Sequence, residues 1–222
     1  MTTIQEAVDC YAEQVDCAER GETFLKLNRW TGEDPLLLLA DAAGTTTGQN
    51  YFIHVKPSAK SFKEQFLDSG RLTSFDELAC LNPDGHELLE IFEATRKRRV
   101  LIQGAEVLSS MDAHDDLSRL KMWAESASPF DYSNDSFGRI QGVGLRTFQF
   151  LRMNAGVDTV KPDIQVKRFV EELKDSTGRA ELDASNDKSV LKSCEWLSQK
   201  TNYRMIELDQ IAWWNFANIN KS

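Results

Sequence analysis

The chain has 222 residues, of which 41% are hydrophobic and 27% are charged, and its formal net charge at pH 7 is −9. This length and composition suffice for one well-packed core, or for two small lobes of one compact unit. The charge is opposite in sign to that of most nucleic-acid-binding proteins, so a polyanion could be bound only where positive charge is locally concentrated.

Apolar residues recur at helical spacing along the whole chain, and the alternation typical of strands is missing, as are repeats and low-complexity linkers. Two shorter helices are predicted to start near Thr73 and at Asn82, where capping residues precede acidic ones. The longer predicted helices span residues 2–20, 36–43, 51–66 (interrupted by Pro57), 100–111, 117–127, 145–155, 164–173, 188–200 and 206–218. These patterns predict an all-α protein of about ten helices.

The cysteines, at positions 10, 17, 80 and 194, form no Cys-x-x-Cys pair and no metal-type cluster. No apolar signal segment opens the chain. We therefore expect a reduced, cytoplasmic protein, nucleoid-associated if the source is bacterial or archaeal, with no membrane partner and no metal site.

Positive charge is concentrated in residues 139–170, which contain six Lys and Arg against two Asp, a local net charge of +4. A basic face on an acidic body is compatible with a DNA footprint of modest strength, and ordinary solvated charge also explains it. A second basic run, residues 96–99, is more typical of a solvated helix end than of a nucleic-acid contact.

The most distinctive stretch begins with a glycine turn. Gly142 and Gly144 flank Val143 without side-chain bulk, so the backbone N–H groups at the start of the following helix can approach an anion such as a phosphate. Apolar spacing from Leu145 predicts that this helix is about three turns long. The turn is therefore a candidate anchor for a polyanion.

A second helix of this stretch opens on Asp163. Pro162 fixes the preceding backbone, Asp163 stands at the N-cap position, and an apolar stripe follows from Val166 onward. A helix N-terminus favours the charged form of a carboxylate. Taken alone, Asp163 is better explained as a simple cap, which stabilises a helix by about 1 kcal/mol.

Together these residues resemble the hairpin and catalytic-aspartate segment of the helix-hairpin-helix DNA glycosylase superfamily, which includes endonuclease III and the alkyladenine and 8-oxoguanine glycosylases. The hairpin is matched by Ile140, Gly142, Val143, Gly144 and Thr147, and the aspartate end by Val160, Pro162, Asp163 and Val166. Residues 34–46 and 206–217 are similar to the superfamily's early and closing segments. The likeness therefore extends from about residue 34 to the end.

The resemblance implies a two-lobed helical bundle with a helix-hairpin-helix motif and a cleft between the lobes. The whole chain, residues 1–222, would form a single unit. Its middle lobe would span approximately residues 45–135. The second lobe would combine residues 1–44 with 136–222 and carry the hairpin and the aspartate within 136–173.

The resemblance also implies roles for individual residues. Asp163 would be the catalytic carboxylate, which stabilises the positive charge that develops on deoxyribose or orients the attacking water. The residues that would contact DNA are Gly142, Val143, Gly144, Arg146 and Thr147. Base-excision repair would then be the function and DNA the partner of a monomeric protein.

Two departures from the superfamily pattern refine this expectation. Arg146 occupies the place of the lysine that attacks the sugar in bifunctional members, and a permanently protonated guanidinium cannot be a nucleophile. Gly44 occupies the place of a side chain that fills the gap left by a flipped base, with Gln49 and Asn50 following. The first departure predicts a monofunctional glycosylase, and the second calls duplex base flipping into question.

The resemblance implies no iron–sulfur cluster, since Cys194 is the only cysteine after Asp163, and it leaves room for a monovalent cation at the hairpin. Two alternatives stay open. One is a non-catalytic helix-hairpin-helix DNA-binding protein of the same fold, favoured by Arg146, Gly44 and the acidic body. The other is an acidic helical protein that binds proteins.

Overall fold

The computed structural model describes residues 3–217. This part of the chain contains no strand, which confirms the all-α prediction, and twelve α-helices. They are α1 (Ile4–Ala12), α2 (Cys17–Leu25), α3 (Pro35–Gly44), α4 (Lys56–Phe62), α5 (Phe75–Ala79), α6 (His86–Ile91), α7 (Thr95–Ser109), α8 (Asp116–Ser126), α9 (Leu145–Asn154), α10 (Ile164–Thr177), α11 (Asp187–Lys200) and α12 (Met205–Phe216). Short 3₁₀ turns cover Thr45–Thr47 and Pro129–Asp131.

The single N-terminal helix predicted for residues 2–20 is wrong, because the chain forms two helices there. The side chain of Asp16 accepts a hydrogen bond from the backbone N–H of Glu19 at 3.2 Å and starts α2 as its N-cap. Exposed Cys10 and buried Cys17 consequently lie in different environments. At the chain ends, Thr2 and Asn218 of the predicted helices lie outside the described residues.

The helix predicted for residues 51–66 exists, and its ends are π-helical. Wider turns at Tyr51–Val55 and Lys63–Leu67 flank α4, and Asn50 caps the start through hydrogen bonds from the N–H groups of Phe52 and Ile53. Pro57 lies in the first turn of α4. A proline ring clashes with the carbonyl four residues earlier in a regular helix, and a π turn relieves this crowding.

The chain divides into two compact units: residues 1–26 with 156–222, and residues 27–155. The structural boundaries therefore differ from the predicted boundaries at 44/45 and 135/136. The difference arises because α3 packs on α7, α4 and α9, so that both α3 and the hairpin helix belong to the middle unit. The hairpin and Asp163, predicted to share one lobe, lie in different units.

In the unit of residues 27–155, α3 is the central helix and is buried on every side. α7 approaches it closely at Gly104, where an added Cβ would lie 3.0 Å from Leu39 Cδ1 and 2.9 Å from Phe137 Cε2. The rings of Trp123 and Phe137 are 5.0 Å apart, and Phe148 lies 5.3 Å from Trp123. This aromatic cluster fixes α9 against α7 and α8.

A buried polar network reinforces the same unit. Asp41 of α3 is completely buried, and its Oδ2 accepts hydrogen bonds from Arg29, Tyr51 and Asn154 at 3.2–3.3 Å. Burial raises the pKa of Asp41, and the Arg29 guanidinium opposes that shift. The network links the C-terminal end of α9 to α3 and so contributes to the position of the hairpin helix.

In the unit formed by residues 1–26 and 156–222, α12 packs on α2, α10 and α11. Tyr11 of α1 lies 5.5 Å from the ring of Phe169 and 5.7 Å from that of Phe216. Gly21 allows α2 to approach α12, since an added Cβ would lie 3.2 Å from side-chain atoms of Ile206 and Glu207. α10 therefore packs against both α1 and α12.

Candidate functional site

The hairpin turn depends on Gly142. Its φ is +114°, a region that residues with a Cβ rarely adopt, and an added Cβ would lie 2.5 Å from Cγ of Arg96. Val143 closes the turn by donating its backbone N–H to Ile140 O at 2.9 Å. Glycine at position 142 is therefore required by the protein itself.

Gly144 has a different role, because it is the N-cap of α9 and is exposed. Its φ of −108° and ψ of 172° are open to any residue, and an added Cβ would meet no atom within 4 Å. The first backbone N–H groups of a helix have no partner within that helix. The space in front of Gly144 is therefore free for an anion that approaches them.

The hairpin helix is anchored by its apolar face, which includes Leu145, Phe148 and Leu151. Thr147, predicted to contact DNA, is only 4% exposed, and its hydroxyl lies 3.5 Å from that of Thr45. Its side chain therefore supports the helix from inside. Arg146 is exposed, as a phosphate contact would require.

Asp135, which was not predicted to have a role, organises the approach to the hairpin. Its Oδ1 accepts hydrogen bonds from the N–H groups of Phe137 at 2.8 Å and Gly138 at 3.1 Å, and from Trp123 Nε1 at 3.2 Å. Gly138 is needed because an added Cβ would lie 1.7 Å from the carbonyl oxygen of Tyr132. An aspartate two and three residues before those N–H groups is an Asx-turn pattern that could have revealed this role.

The basic run of residues 96–99 is solvated only in part, because Lys97 and Arg98 are 5% and 3% exposed. The Arg98 guanidinium donates to the carbonyl oxygens of Pro83, Phe92 and Glu93 at 2.5–2.7 Å. It therefore closes the loops that precede α7. Burial lowers the pKa of Lys97, whose Nζ donates to Gln49 at 2.6 Å.

The positive charge predicted for residues 139–170 does not form one solvated face. Arg152 is 9% exposed and donates inward, to Ala124 O at 2.9 Å and Gln149 Oε1 at 2.8 Å. Lys167 is paired with Asp187 at 2.9 Å. Arg139 and Arg146 remain exposed near the turn in the unit of residues 27–155.

Asp163 is the N-cap of α10, as predicted. Its Oδ1 accepts hydrogen bonds from the backbone N–H groups of Gln165 at 2.9 Å and Val166 at 3.3 Å. Pro162 before it is buried, whereas Asp163 itself is partly exposed and Ile164 after it is 54% exposed. The carboxylate is thus fixed by the helix and still accessible from outside.

A second carboxylate, Asp209 of α12, holds the link, the segment of residues 156–163 that precedes α10. Asp209 is 6% exposed, and its Oδ1 accepts the backbone N–H of Lys161 at 2.9 Å. Its Oδ2 accepts from Gln210 Nε2 at 3.1 Å. Burial, and then the charge of Asp163, raise the pKa of Asp209 to about 7. The contact between Asp209 and the segment before Asp163 was not predicted, because residues 161 and 209 are far apart in the chain.

Gly44 cannot carry a side chain that enters DNA. It ends α3 in a buried position, where an added Cβ would lie 2.8 Å from Val55 Cγ1. Gln49 accepts the hydrogen bond from Lys97, and Asn50 caps the helical segment that follows. The side chains of Gln49 and Asn50 are therefore both engaged within the protein.

Between residues 3 and 217, no group of three or more His, Cys, Asp and Glu side chains could hold a metal ion. No helix in that part of the chain combines the length and the apolar character needed to cross a membrane. The four cysteines are free thiols.

Solved structures share this fold over nearly the whole chain. The 8-oxoguanine DNA glycosylase of Thermotoga maritima is 14% identical, with 96% of each chain covered and a TM-score of 0.56. The Methanocaldococcus jannaschii 8-oxoguanine glycosylase/lyase, in complex with a 15mer DNA containing 8-oxoguanine, is 13% identical, with 96% of each chain covered and a TM-score of 0.53. A further structure of the M. jannaschii glycosylase is 14% identical, with 96% of this chain and 92% of that chain covered and a TM-score of 0.51.

No protein-family model and no curated protein matches the sequence. At 13–14% identity the structural likeness establishes the fold. The helix-hairpin-helix glycosylase fold that was predicted from residues 140–170 is thereby confirmed.

Proposed function

We propose that this protein is a base-excision-repair DNA glycosylase that hydrolyses the N-glycosidic bond of a damaged base. The observation that carries the proposal is Asp163, a partly exposed carboxylate fixed at the start of α10, in a chain with the fold of 8-oxoguanine DNA glycosylases. A fold alone supports many functions. Asp163 occupies the motif position of the superfamily's catalytic aspartate, and this position together with the hairpin favours a glycosylase.

In the proposed reaction, Asp163 stabilises the positive charge that develops on deoxyribose as the base leaves, or orients the attacking water. Two features suit it to this task. The backbone N–H groups of Gln165 and Val166 hold its Oδ1 in place at the start of α10. Asp209 fixes the preceding backbone through Lys161, which limits the movement of the carboxylate.

The hairpin turn serves as the DNA anchor in this proposal. Gly142 shapes the turn, and the open space at Gly144 lets a phosphate reach the first N–H groups of α9. Val143 lies between the two glycines and is partly exposed, as is required of a residue that approaches the backbone of DNA. Arg146, the second residue of α9, adds a positive charge in the first turn of the helix.

We further propose that the enzyme is monofunctional, because Arg146 cannot act as a nucleophile. Lys167, one of the lysines nearest to Asp163 in sequence, is held in an ion pair with Asp187. Water is then the attacking group, and the product is an abasic site in an intact strand. Borohydride treatment during turnover should trap no protein–DNA adduct, and a trapped adduct would contradict the monofunctional mechanism.

The identity of the damaged base is proposed from the solved structures that share the fold. The similar structures are described as 8-oxoguanine glycosylases, so 8-oxoguanine is the first candidate substrate. The test is base release from duplex and single-stranded oligonucleotides that contain 8-oxoguanine, an alkylated base or a deaminated base, and from a duplex that contains a mismatch. Strand breaks should appear only after heating in alkali. Strand breaks without alkali would contradict the monofunctional assignment.

A non-catalytic DNA-binding protein of the same fold is the second candidate. Its specific support is that Gly44 leaves no filler side chain and that Arg146 replaces the lysine nucleophile. This candidate predicts salt-sensitive DNA binding with no base release from any oligonucleotide. Base release from one of them would exclude it.

A further inference from the structure

Two arginines of the run before the hairpin contact the hairpin turn directly. Arg99 donates to Gln141 Oε1 at 2.6 Å, and the aliphatic stem of Arg96 covers Gly142, where an added Cβ would lie 2.5 Å from its Cγ. Arg96 also donates to the carbonyl oxygen of Thr46 at 3.3 Å. Both arginines lie in the same unit as the turn, so these distances describe one compact piece of structure.

The other N–H donors of these two guanidinium groups form no hydrogen bond with a carboxylate of the described residues. Arg96 is exposed and Arg99 is partly exposed. Neither forms an ion pair with a carboxylate of the part of the chain that the structure describes. A guanidinium presents several N–H donors in a fixed planar arrangement that suits a phosphate, and each of these two uses only one described hydrogen bond.

The charge of Arg96 is unfavourably placed with respect to the dipole of α7. Arg96 lies in the first turn of α7, which contains no acidic residue and has no side-chain cap. Cations near a helix N-terminus oppose the helix dipole. Arg98 compensates by closing the loops around it, whereas Arg96 and Arg99 have no comparable buried role. An approaching anion would offset this unfavourable charge.

We propose that Arg96 and Arg99 extend the hairpin into a larger phosphate-binding surface that holds the sugar–phosphate backbone of duplex DNA. This inference rests on the proposed function, since it assumes that DNA is the ligand. The surface consists of Arg96, Arg99 and the turn of residues 141–144. It binds DNA without regard to sequence or damage, and it supplies a local attraction that the net charge of −9 would otherwise prevent.

The test measures the binding of an undamaged duplex as a function of salt concentration, with Asp163→Asn in every protein so that no base is removed. The variants are Arg96→Gln, Arg99→Gln and their combination. Arg71→Gln is the matched control, since it removes one exposed charge from the same unit at a residue paired with Glu87. Arg96→Lys keeps the charge and an aliphatic stem over Gly142, and thermal unfolding checks that each variant is folded.

Each of the two Gln variants should make the slope of log K against log salt concentration less negative by about 0.9, and the combination by about 1.8. Arg71→Gln and Arg96→Lys should keep the parent slope. Slopes for Arg96→Gln and Arg99→Gln that equal the slope of Arg71→Gln would overturn the inference.

The result also separates this inference from the proposed function. A parent protein that binds no duplex at any salt concentration would overturn both proposals. If the unsubstituted protein releases a damaged base in a separate assay and the arginine variants leave the slope of duplex binding unchanged, only the role of Arg96 and Arg99 is overturned.

Discussion

Asp209 accepts the backbone N–H of Lys161 at 2.9 Å, and through this contact α12 fixes the link that leads to Asp163. A second hydrogen bond joins the same two elements: Asp158 of the link accepts the backbone N–H of Ile206, in the first turn of α12, at 2.8 Å. Two carboxylates therefore fasten the same short segment to α12. This arrangement explains how the segment before α10, in which Thr159, Val160 and Pro162 are buried, presents Asp163 in a defined place.

The raised pKa of Asp209 predicts a pH-dependent stability. Its value of about 7 in the folded protein lies above the ordinary value of 3.8, so the folded state holds this proton more tightly than the unfolded chain. The stabilising contribution is complete below about pH 4 and is lost as the pH rises through about 7, with a slope of at most about 1.4 kcal/mol per pH unit. Urea unfolding between pH 4 and 8 measures this slope.

Asp209→Asn should remove this part of the pH dependence while its side-chain oxygen can still accept the Lys161 N–H. Asp163→Asn should move the decline to lower pH, because the charge of Asp163 contributes to the shift. If Asp209→Asn left the slope unchanged, Asp209 would not be the titrating group.

Gly144→Asp should abolish DNA binding without unfolding the protein. The position has open space and an ordinary φ, so the fold accepts a side chain there, whereas a carboxylate in front of the α9 N–H groups repels a phosphate. Thermal unfolding and duplex binding give the two readings. Gly144→Asn is the uncharged control, and equal DNA binding by the Asp and Asn variants would argue against an electrostatic anchor.

Gly142→Ala, unlike Gly144→Asp, should affect the fold itself and destabilise the protein by about 2 kcal/mol. Alanine is strained at a φ of +114°, and its Cβ would collide with the stem of Arg96. Chemical denaturation measures the loss. Pairing the change with Arg96→Ala should relieve the collision and leave the strain, so a full recovery would show that backbone strain contributes nothing.

Arg98→Gln should destabilise the protein by about 3 kcal/mol, in contrast to Arg99→Gln. The Arg98 side chain is 3% exposed and satisfies three carbonyl oxygens, and these would lose their donors. Arg99 is partly exposed and donates to Gln141. Free energies of unfolding from denaturant titrations would test this difference, and equal losses would contradict the separate roles assigned to neighbouring arginines.

The sequence predicted what depends on local pattern. The turn at Gly142, the cap at Asp163 and the helical periodicity are all expressed within a few consecutive residues, and all appear in the structure. Contacts between distant residues could not be predicted in this way. Asp209 lies far from Lys161 in the chain. Arg98 is buried because the loop that contains Pro83, an earlier part of the chain, folds over it.

The domain boundary shows the same limitation. The pattern of residues 36–43 indicates a buried helix but not its neighbours, so α3 was assigned to the terminal lobe. Its packing on α7 and α9 assigns it to the middle unit instead. Arg152 was counted as surface charge for a similar reason, since its burial depends on α8.

The central claim is that Asp163 acts in catalysis beyond its role as a helix cap, and the rate of base release in a single turnover by Asp163→Asn tests it most directly. Asp34→Asn is a suitable control, because Asp34 caps α3 through the N–H groups of Leu36 and Leu37 with the same pattern of hydrogen bonds. Asparagine caps a helix about as well as aspartate, so both variants should stay folded.

On a substrate that the unsubstituted protein cleaves, Asp163→Asn should lower the rate by on the order of a hundredfold or more while DNA binding persists, and Asp34→Asn should leave it unchanged. Equal rates for the Asp163→Asn variant and the unsubstituted protein would contradict the account and leave Asp163 as a structural cap.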